Sequence, residues 1–153
     1  MYSPILVIGA LGNVGAEVVK ELQARGQAVR AADVDGQKLK ERFGASIEIV
    51  RFDFTDPTTY EATFRGIKKM FYMRPPHLTN IQRDMAPSMD AAKAAGVTHA
   101  VFLSIIGIEN AKYVPHYKVE QYLQKIGLQT TFLRCSFFMQ NLNTTHRREI
   151  KER

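Results

Sequence analysis

The sequence predicts an α/β fold: a doubly wound parallel sheet of about six strands with helices on both faces. Short apolar runs alternate with longer amphipathic segments along the whole chain, and this alternation is typical of parallel sheets. Glycines follow the predicted helices where a left-handed residue commonly ends a helix, namely at Gly26, Gly66, Gly96 and Gly127. Right-handed crossovers then imply the strand order 3-2-1-4-5-6.

Each element follows from a local pattern. The strands are apolar runs near 4–9, 28–33, 47–52, 68–73, 98–104 and 129–135. The helices are amphipathic segments near 13–25, 36–43, 57–65, 79–95 and 114–126. Asp56 before Pro57 is a good start for the third helix, and Asn143 can cap a last helix that runs to the end of the chain.

Composition and charge narrow the class of protein. The 153 residues are 45% apolar and 24% charged, which is ordinary for one globular domain spanning 1–153. No apolar run reaches the roughly 20 residues of a membrane span, and the net charge of +6 is scattered rather than clustered as on a nucleic-acid surface. The single cysteine, Cys135, fits a reducing compartment. We therefore expect a cytoplasmic protein without membrane or nucleic-acid partners.

A glycine-rich turn joins the first strand to the first helix. Gly9, Gly12 and Gly15 have the spacing G-x-x-G-x-x-G, in the strand–turn–helix order of a dinucleotide-binding βαβ unit. The first glycine permits the tight turn, the second a close approach to a pyrophosphate, and the third the packing of helix on strand. A plain strand-to-helix turn is the alternative. The predicted cofactor-binding residues of this turn are Gly9, Leu11, Gly12, Asn13, Val14 and Gly15.

An acidic residue ends the second strand. Asp33 lies eighteen residues after Gly15, near the offset of about 20 at which a carboxylate binds the adenosine ribose of NAD. The same carboxylate repels the 2′-phosphate of NADP. We therefore expect NAD as the cofactor, with NADP as the alternative. Asp33 can instead cap the turn before Gly36.

Several motifs along the chain resemble those of one family. They are Gly9–Gly15, Asp53–Phe54, Arg74–His77, Phe102–Gly107, Pro115–Glu120 and Leu133–Leu142. Together they resemble the NmrA-like branch of the atypical short-chain dehydrogenase/reductases. The resemblance implies an NAD(P)-binding Rossmann domain. Because members of this branch are nearly twice as long, we expect that residues 1–153 form the cofactor-binding half and stop before a substrate-covering C-terminal region; a naturally short form is the alternative.

The resemblance assigns roles at the adenosine end of the site. In similar proteins the acid at the position of Asp53 accepts from the adenine amino group, and the residue at the position of Phe54 packs on the ring. A turn signal before Asp56 is the alternative for Asp53. NADP-preferring relatives place an arginine just beyond the second strand, where this chain has Val34, and this again favours NAD.

Two further candidate residues end the fourth strand. Met73 and Arg74 lie at its carboxyl end, where ligands bind in an open α/β sheet. Arg74 can contact the cofactor pyrophosphate or an anionic substrate. Pro75 and Pro76 stiffen the loop that follows, which suits a binding wall but also a plain surface turn.

The candidates for catalysis depart from those of ordinary short-chain dehydrogenases. The Tyr-x-x-x-Lys pair that protonates a substrate oxygen is absent, and the resemblance places His116 at the lysine position. This histidine can donate to a ribose or to a reacting carbonyl, oriented by Glu120 one helical turn later. Ser104 occupies the position of the family's serine or threonine. The predicted catalytic residues are His116 and Ser104; a surface His–Glu pair and a polar strand end are the alternatives.

The resemblance implies one of two functions. The first is an NAD(P)H-dependent reductase of quinone-like or related small acceptors, which can take their proton from water. The second is a non-catalytic, NAD(P)-sensing regulator that binds a partner protein. No cluster with metal-ligand spacing is present in the sequence, and we expect no metal.

The last predicted strand and its exit carry a run of apolar residues. They are Phe132, Leu133, Phe137, Phe138, Met139 and Leu142. Without the C-terminal region that follows in the longer relatives, these side chains would form an exposed apolar patch, and the sixth strand would be an open edge. We therefore expect a homodimer that forms through this edge.

Overall fold

A computed structural model describes residues 3–136, 138–139 and 147 of the chain. Within them lies one six-stranded parallel sheet with the order β3-β2-β1-β4-β5-β6. Its strands, numbered along the chain, are β1 Ile5–Ile8, β2 Val29–Asp33, β3 Glu48–Arg51, β4 Lys69–Tyr72, β5 His99–Ile105 and β6 Gln129–Cys135. The predicted fold class and strand order are confirmed.

Helices connect successive strands of the sheet. They are α1 Asn13–Ala24, α2 Gly36–Phe43, α3 Tyr60–Phe64, α4 Ile81–Asp84, α5 Ala86–Ala94 and α6 Pro115–Lys125. A 3-10 turn at Pro57–Thr59 leads into α3, and the Asp56 side chain caps it by accepting from the Thr58 amide. The predicted last helix from Asn143 lies outside the described residues.

The sequence prediction of one helix over 79–95 is wrong, because two helices occupy this segment. Met85 separates them with φ −121° and ψ −34°. Pro87 is the physical reason: it has no N–H to donate, and its ring would clash with the carbonyl of the residue four positions earlier in a continuous helix. A 3-10 turn at Ile108–Asn110 is a further element that the sequence patterns did not indicate.

The core consists of two clusters, one on each face of the sheet. The larger cluster packs α3, α5 and α6 on one face and centres on Tyr72, Phe102 and Met89. The smaller cluster packs α1 and α2 on the other face, with Val19 and Leu39 fully buried. Within the described part of the chain, none of the helices is long and apolar enough to cross a membrane.

Candidate cofactor site

The carboxyl ends of β1 and β4 define the most favourable ligand crevice of the sheet. Strand order reverses between these two strands, and ligands of doubly wound sheets bind where the order reverses. Gly9 follows β1 and Met73 follows β4, and the two residues lie against each other there. A Cβ atom on Gly9 would lie 2.6 Å from Met73 Sδ. The fold therefore brings the predicted glycine turn and Met73 to one place.

The glycine turn has a conformation that depends on its glycines. Gly9 has φ +77°, in the left-handed region that other residues rarely adopt, and its carbonyl accepts from the Gly12 amide at 3.0 Å. A Cβ on Gly15 would overlap the Gly9 carbonyl group, so Gly15 allows α1 to pack on the turn. A Cβ on Gly12 would contact only the Gly9 oxygen, at 3.2 Å, so Gly12 otherwise borders open space.

Helix α1 begins at this turn with backbone donors that have no acceptor among the described residues. Gly12 is its N-cap residue and supplies no side chain to cap it. The first intrahelical bond runs from the Ala16 amide to the Gly12 carbonyl, at 3.0 Å. The amides of Asn13, Val14 and Gly15 precede that bond, so they have no intrahelical acceptor. A helix start with free amides and the positive end of the helix dipole is suited to an anion.

Asp33 is bound to the glycine turn. Its Oδ2 accepts from the Leu11 amide at 3.0 Å, and its Oδ1 accepts from the Val34 amide at 2.8 Å. Arg42, which sequence reasoning did not identify, donates from Nη1 to the Leu11 carbonyl at 2.8 Å. A carboxylate has about four acceptor positions, so both Asp33 oxygens retain capacity for ribose hydroxyls.

Asp53 and Phe54 have local roles in the structure. Asp53 Oδ1 accepts from the amide and the hydroxyl of Thr55, both at 2.8 Å, as the turn interpretation expects. The Phe54 ring packs edge-on against Phe52 at 4.8 Å and Tyr72 at 5.5 Å between centroids. Only 6% of Phe54 is exposed. The core therefore covers most of the ring, and the expected packing of Phe54 on adenine stays a prediction.

Arg74 organises the loop after β4. Its Nη1 donates to the carbonyls of Pro75, Pro76 and Leu78 at 2.8, 2.9 and 2.8 Å. Its Nε is buried and has no partner among the described residues, and burial lowers the pKa of the guanidinium. The predicted contact of Arg74 with a pyrophosphate or an anionic substrate stays a prediction.

His116 is a half-buried imidazole near the start of α6. Its Nδ1 is buried and has no hydrogen-bond partner within the described chain, and its ring lies 6.0 Å from that of Phe102. Burial is the largest cause that lowers the pKa of His116 to about 4; the nearby Arg74 charge also lowers it, and Glu120 partly opposes both. The imidazole is therefore neutral at pH 7.

Glu120 does not orient His116 through a hydrogen bond, contrary to the sequence expectation. Its buried carboxylate accepts from the Ser104 hydroxyl at 2.6 Å and from Arg134 Nη2 at 2.7 Å. The Ser104 proton is thus directed at Glu120, and Ser104 is only 2% exposed. Its catalytic role stays a prediction, and in this geometry its hydroxyl can only accept from a ligand.

The whole chain matches one family. The sequence model described as "NmrA-like family" matches residues 1–152. The chain belongs to the NmrA-like family.

Curated relatives of this NmrA-like chain have diverse names. It is 34% identical to prestalk A differentiation protein A of Dictyostelium discoideum, over 91% of this chain and 46% of that protein. It is 33% identical to an NAD(P)H azoreductase of Xenophilus azovorans, over 90% of this chain and 49% of that enzyme. The chain thus spans about half the length of the curated relatives it matches.

Solved structures share the fold of this NmrA-like chain. The triphenylmethane reductase of Citrobacter sp., complexed with NADP(H), superposes with a TM-score of 0.83 at 24% identity, over 97% of this chain and 55% of that one. The NADPH-dependent quinone oxidoreductase of Escherichia coli, complexed with NADPH, gives 0.80 at 20% identity, over 97% and 54%. At these identities the likeness shows the fold.

Proposed function

We propose that this chain binds NAD(P)(H) and forms the cofactor half of an NAD(P)H-dependent reductase of quinone-like or related small acceptors. The observation that carries the proposal is the uncapped start of α1 at the glycine turn, beside the point where strand order reverses. A Cβ on Gly12 would extend into the space that a diphosphate would occupy. The residues present therefore fit the cofactor.

Different groups of the chain would bind the diphosphate and the ribose of a dinucleotide. The amides of Asn13, Val14 and Gly15 would donate to the diphosphate oxygens. Asp33 would accept from the adenosine ribose hydroxyls with its remaining lone pairs. When bound, the reduced nicotinamide supplies a hydride. Asp53 and Phe54 stay proposed residues of the adenine end of the site.

His116 is our candidate for contact with the ribose or with the acceptor's oxygen. A neutral imidazole has one N–H and one lone pair, so it can donate a hydrogen bond at pH 7 without carrying a charge. Its low pKa makes it a poor proton store, so the proton that completes reduction would come from water. A quinone-like acceptor depends less on a protein acid during reduction than a ketone does. We therefore favour quinone-like acceptors as substrates.

A regulatory, non-catalytic function is the second candidate. The observation that favours it is the Ser104 proton directed at Glu120, because a serine that positions a substrate should present that proton to the ligand. In this reading the same glycine turn binds a dinucleotide, and the complex is recognised by a partner protein. The chain's single cysteine supports the cytoplasm as our proposed location for either function.

We also propose that two copies associate through β6. This strand pairs with β5 from Gln129 to Cys135, and no described strand pairs with its other edge. Leu133 on this strand is 42% exposed, and Phe138 and Met139 after it are 37% and 68% exposed. Phe137 and Leu142, which belong to the same predicted patch, lie outside the described residues. Exposed apolar side chains next to an open edge favour pairing.

Cofactor binding and turnover are tested in that order. Calorimetric titration of the purified chain with NADH and with NADPH should give saturable binding. Loss of nicotinamide absorbance on adding a panel of quinones then separates the reductase from the regulator. Binding without turnover by this chain and by a longer version carrying a C-terminal region supports the regulator, and absence of binding rejects both.

A further inference from the structure

We propose that Arg42 binds the 2′-phosphate of NADP(H) and thereby lets the site accept the phosphorylated cofactor although Asp33 is present. The inference rests on the proposed function, because it assumes that the adenosine ribose binds at Asp33. It identifies a specificity-determining residue on α2. Neither the glycine spacing nor the end of β2 indicates this residue.

Arg42 and Asp33 hold opposite ends of the same residue. Asp33 accepts from the Leu11 amide at 3.0 Å, and Arg42 donates to the Leu11 carbonyl at 2.8 Å. The guanidinium and the carboxylate that would accept the ribose hydroxyls therefore both contact Leu11. A phosphate on the 2′ oxygen would add nearly two negative charges beside Asp33. Arg42 is positioned to offset that repulsion.

The Arg42 guanidinium is available for a ligand. It forms no ion pair with the described residues, and its bond to Leu11 uses one of five N–H donors. The Phe43 ring lies 5.7 Å from its central carbon and supports its plane. Arginine presents paired donors that match the oxygens of a phosphate.

The other basic side chains near the end of β2 are already engaged. Arg51 on β3 lies opposite Asp33 in the backbone register of the two strands. Its guanidinium, however, lies 2.9 Å from the Asp56 carboxylate and 3.9 Å from that of Asp53. Lys38 lies 3.2 Å from the Asp35 carboxylate. Arg42 is thus the residue of α2 that combines an unpaired charge with contact to the glycine turn.

The test uses two probes that differ only in the 2′-phosphate, ADP and 2′,5′-ADP. Calorimetric titrations compare the native chain with Arg42→Ala, Arg42→Gln and, as a control that also removes an exposed positive charge from α2, Lys40→Ala. Glutamine can still donate to the Leu11 carbonyl but carries no charge. We expect Arg42→Ala and Arg42→Gln each to weaken 2′,5′-ADP binding by about ten-fold or more, since a charged phosphate contact is lost, and to change ADP binding by less than about two-fold. Lys40→Ala should change neither.

Three results would contradict the proposed role of Arg42. If the native chain binds ADP but not 2′,5′-ADP, Arg42 does not serve the phosphate and the inference is wrong. If both Arg42 variants weaken the two probes equally, Arg42 only holds the glycine turn, and the inference is wrong while the proposed function stands. If the native chain binds neither probe, the proposed function fails together with the inference. Circular dichroism of each variant shows whether it is folded.

Discussion

The Ser104 hydroxyl donates to the buried carboxylate of Glu120 across 2.6 Å and so links β5 to α6. Arg134 on β6 donates to the same carboxylate, from Nη2 at 2.7 Å and from Nε at 3.2 Å. One carboxylate therefore links β5, α6 and β6. A buried carboxylate needs such partners, because an unpaired buried charge is strongly destabilising.

Removing the partners of Glu120 should destabilise the fold. We expect Arg134→Gln to lower the free energy of unfolding by about 1–3 kcal/mol, because the carboxylate stays buried with a weaker donor. Ser104→Ala should lower the free energy of unfolding by about 1 kcal/mol, because the buried carboxylate loses one hydrogen-bond donor. Urea unfolding monitored by circular dichroism measures both. Arg25→Gln is the control, since its pair with Glu21 is exposed and worth little. Equal losses in Arg25→Gln and Arg134→Gln would contradict this account.

The two later glycines of the turn should respond differently to alanine. A Cβ on Gly15 would overlap backbone atoms of Gly9, so Gly15→Ala should lower the unfolding free energy and hinder folding of the chain. A Cβ on Gly12 meets only the Gly9 oxygen at 3.2 Å, so Gly12→Ala should remain folded but lose affinity for NADH. Thermal unfolding and NADH titration separate the two effects. A folded Gly12→Ala with native affinity would show that this turn does not hold a dinucleotide.

The low pKa of His116 should appear as a pH dependence of stability. In the unfolded chain its pKa is about 6.5, and in the folded chain it is about 4 because of burial and Arg74. Between these values the unfolded chain binds more protons, so the free energy of unfolding should fall as pH drops from about 6.5 toward 4. Above about pH 6.5 this contribution is fully present.

The variant His116→Phe isolates this contribution. It should flatten the fall in stability between about pH 6.5 and 4, because phenylalanine binds no proton. His99→Asn is the control, since His99 bonds to Thr131 in an exposed position. Urea unfolding at a series of pH values gives the curves. Parallel curves for the native chain and His116→Phe would mean that the pKa of His116 is not lowered in the fold.

Asp33 should determine the relative affinities of the site for NADH and NADPH. The double variant Asp33→Ser with Val34→Arg removes a repulsive charge and adds a phosphate partner. It should bind NADPH more tightly than the native chain and NADH less tightly, because the ribose hydroxyls lose an acceptor. Fluorescence titration with both cofactors measures the ratio. A ratio that does not move would show that Asp33 serves only its bonds to Leu11 and Val34.

Local patterns predicted the fold and the glycine turn, while hydrogen bonds between residues far apart in sequence could be identified only from the structure. Strand and helix periods, and glycines at helix ends, depend on neighbouring residues. The predicted bounds of the six strands therefore lie within one residue of the observed bounds. Arg42 bonds to Leu11 from 31 positions away, and Arg134 bonds to Glu120 from 14 positions away. No spacing rule indicates such contacts, because they depend on how α2 and β6 pack on the sheet.

The exposed edge of β6 should cause the chain to dimerise. Leu133 lies on this strand and is 42% exposed, with Met139 beyond it at 68%. Light scattering over a range of concentrations should show a mass that rises from one chain toward two. Leu133→Lys should shift that transition to higher concentration, because a charge on an edge strand opposes pairing. Val34→Lys is the control: Val34 is 56% exposed but follows β2, which β1 and β3 border on both sides. A native chain that stays monomeric at high micromolar concentration would contradict the proposed dimer. If the two lysine variants weakened association equally, the interface would be elsewhere than β6.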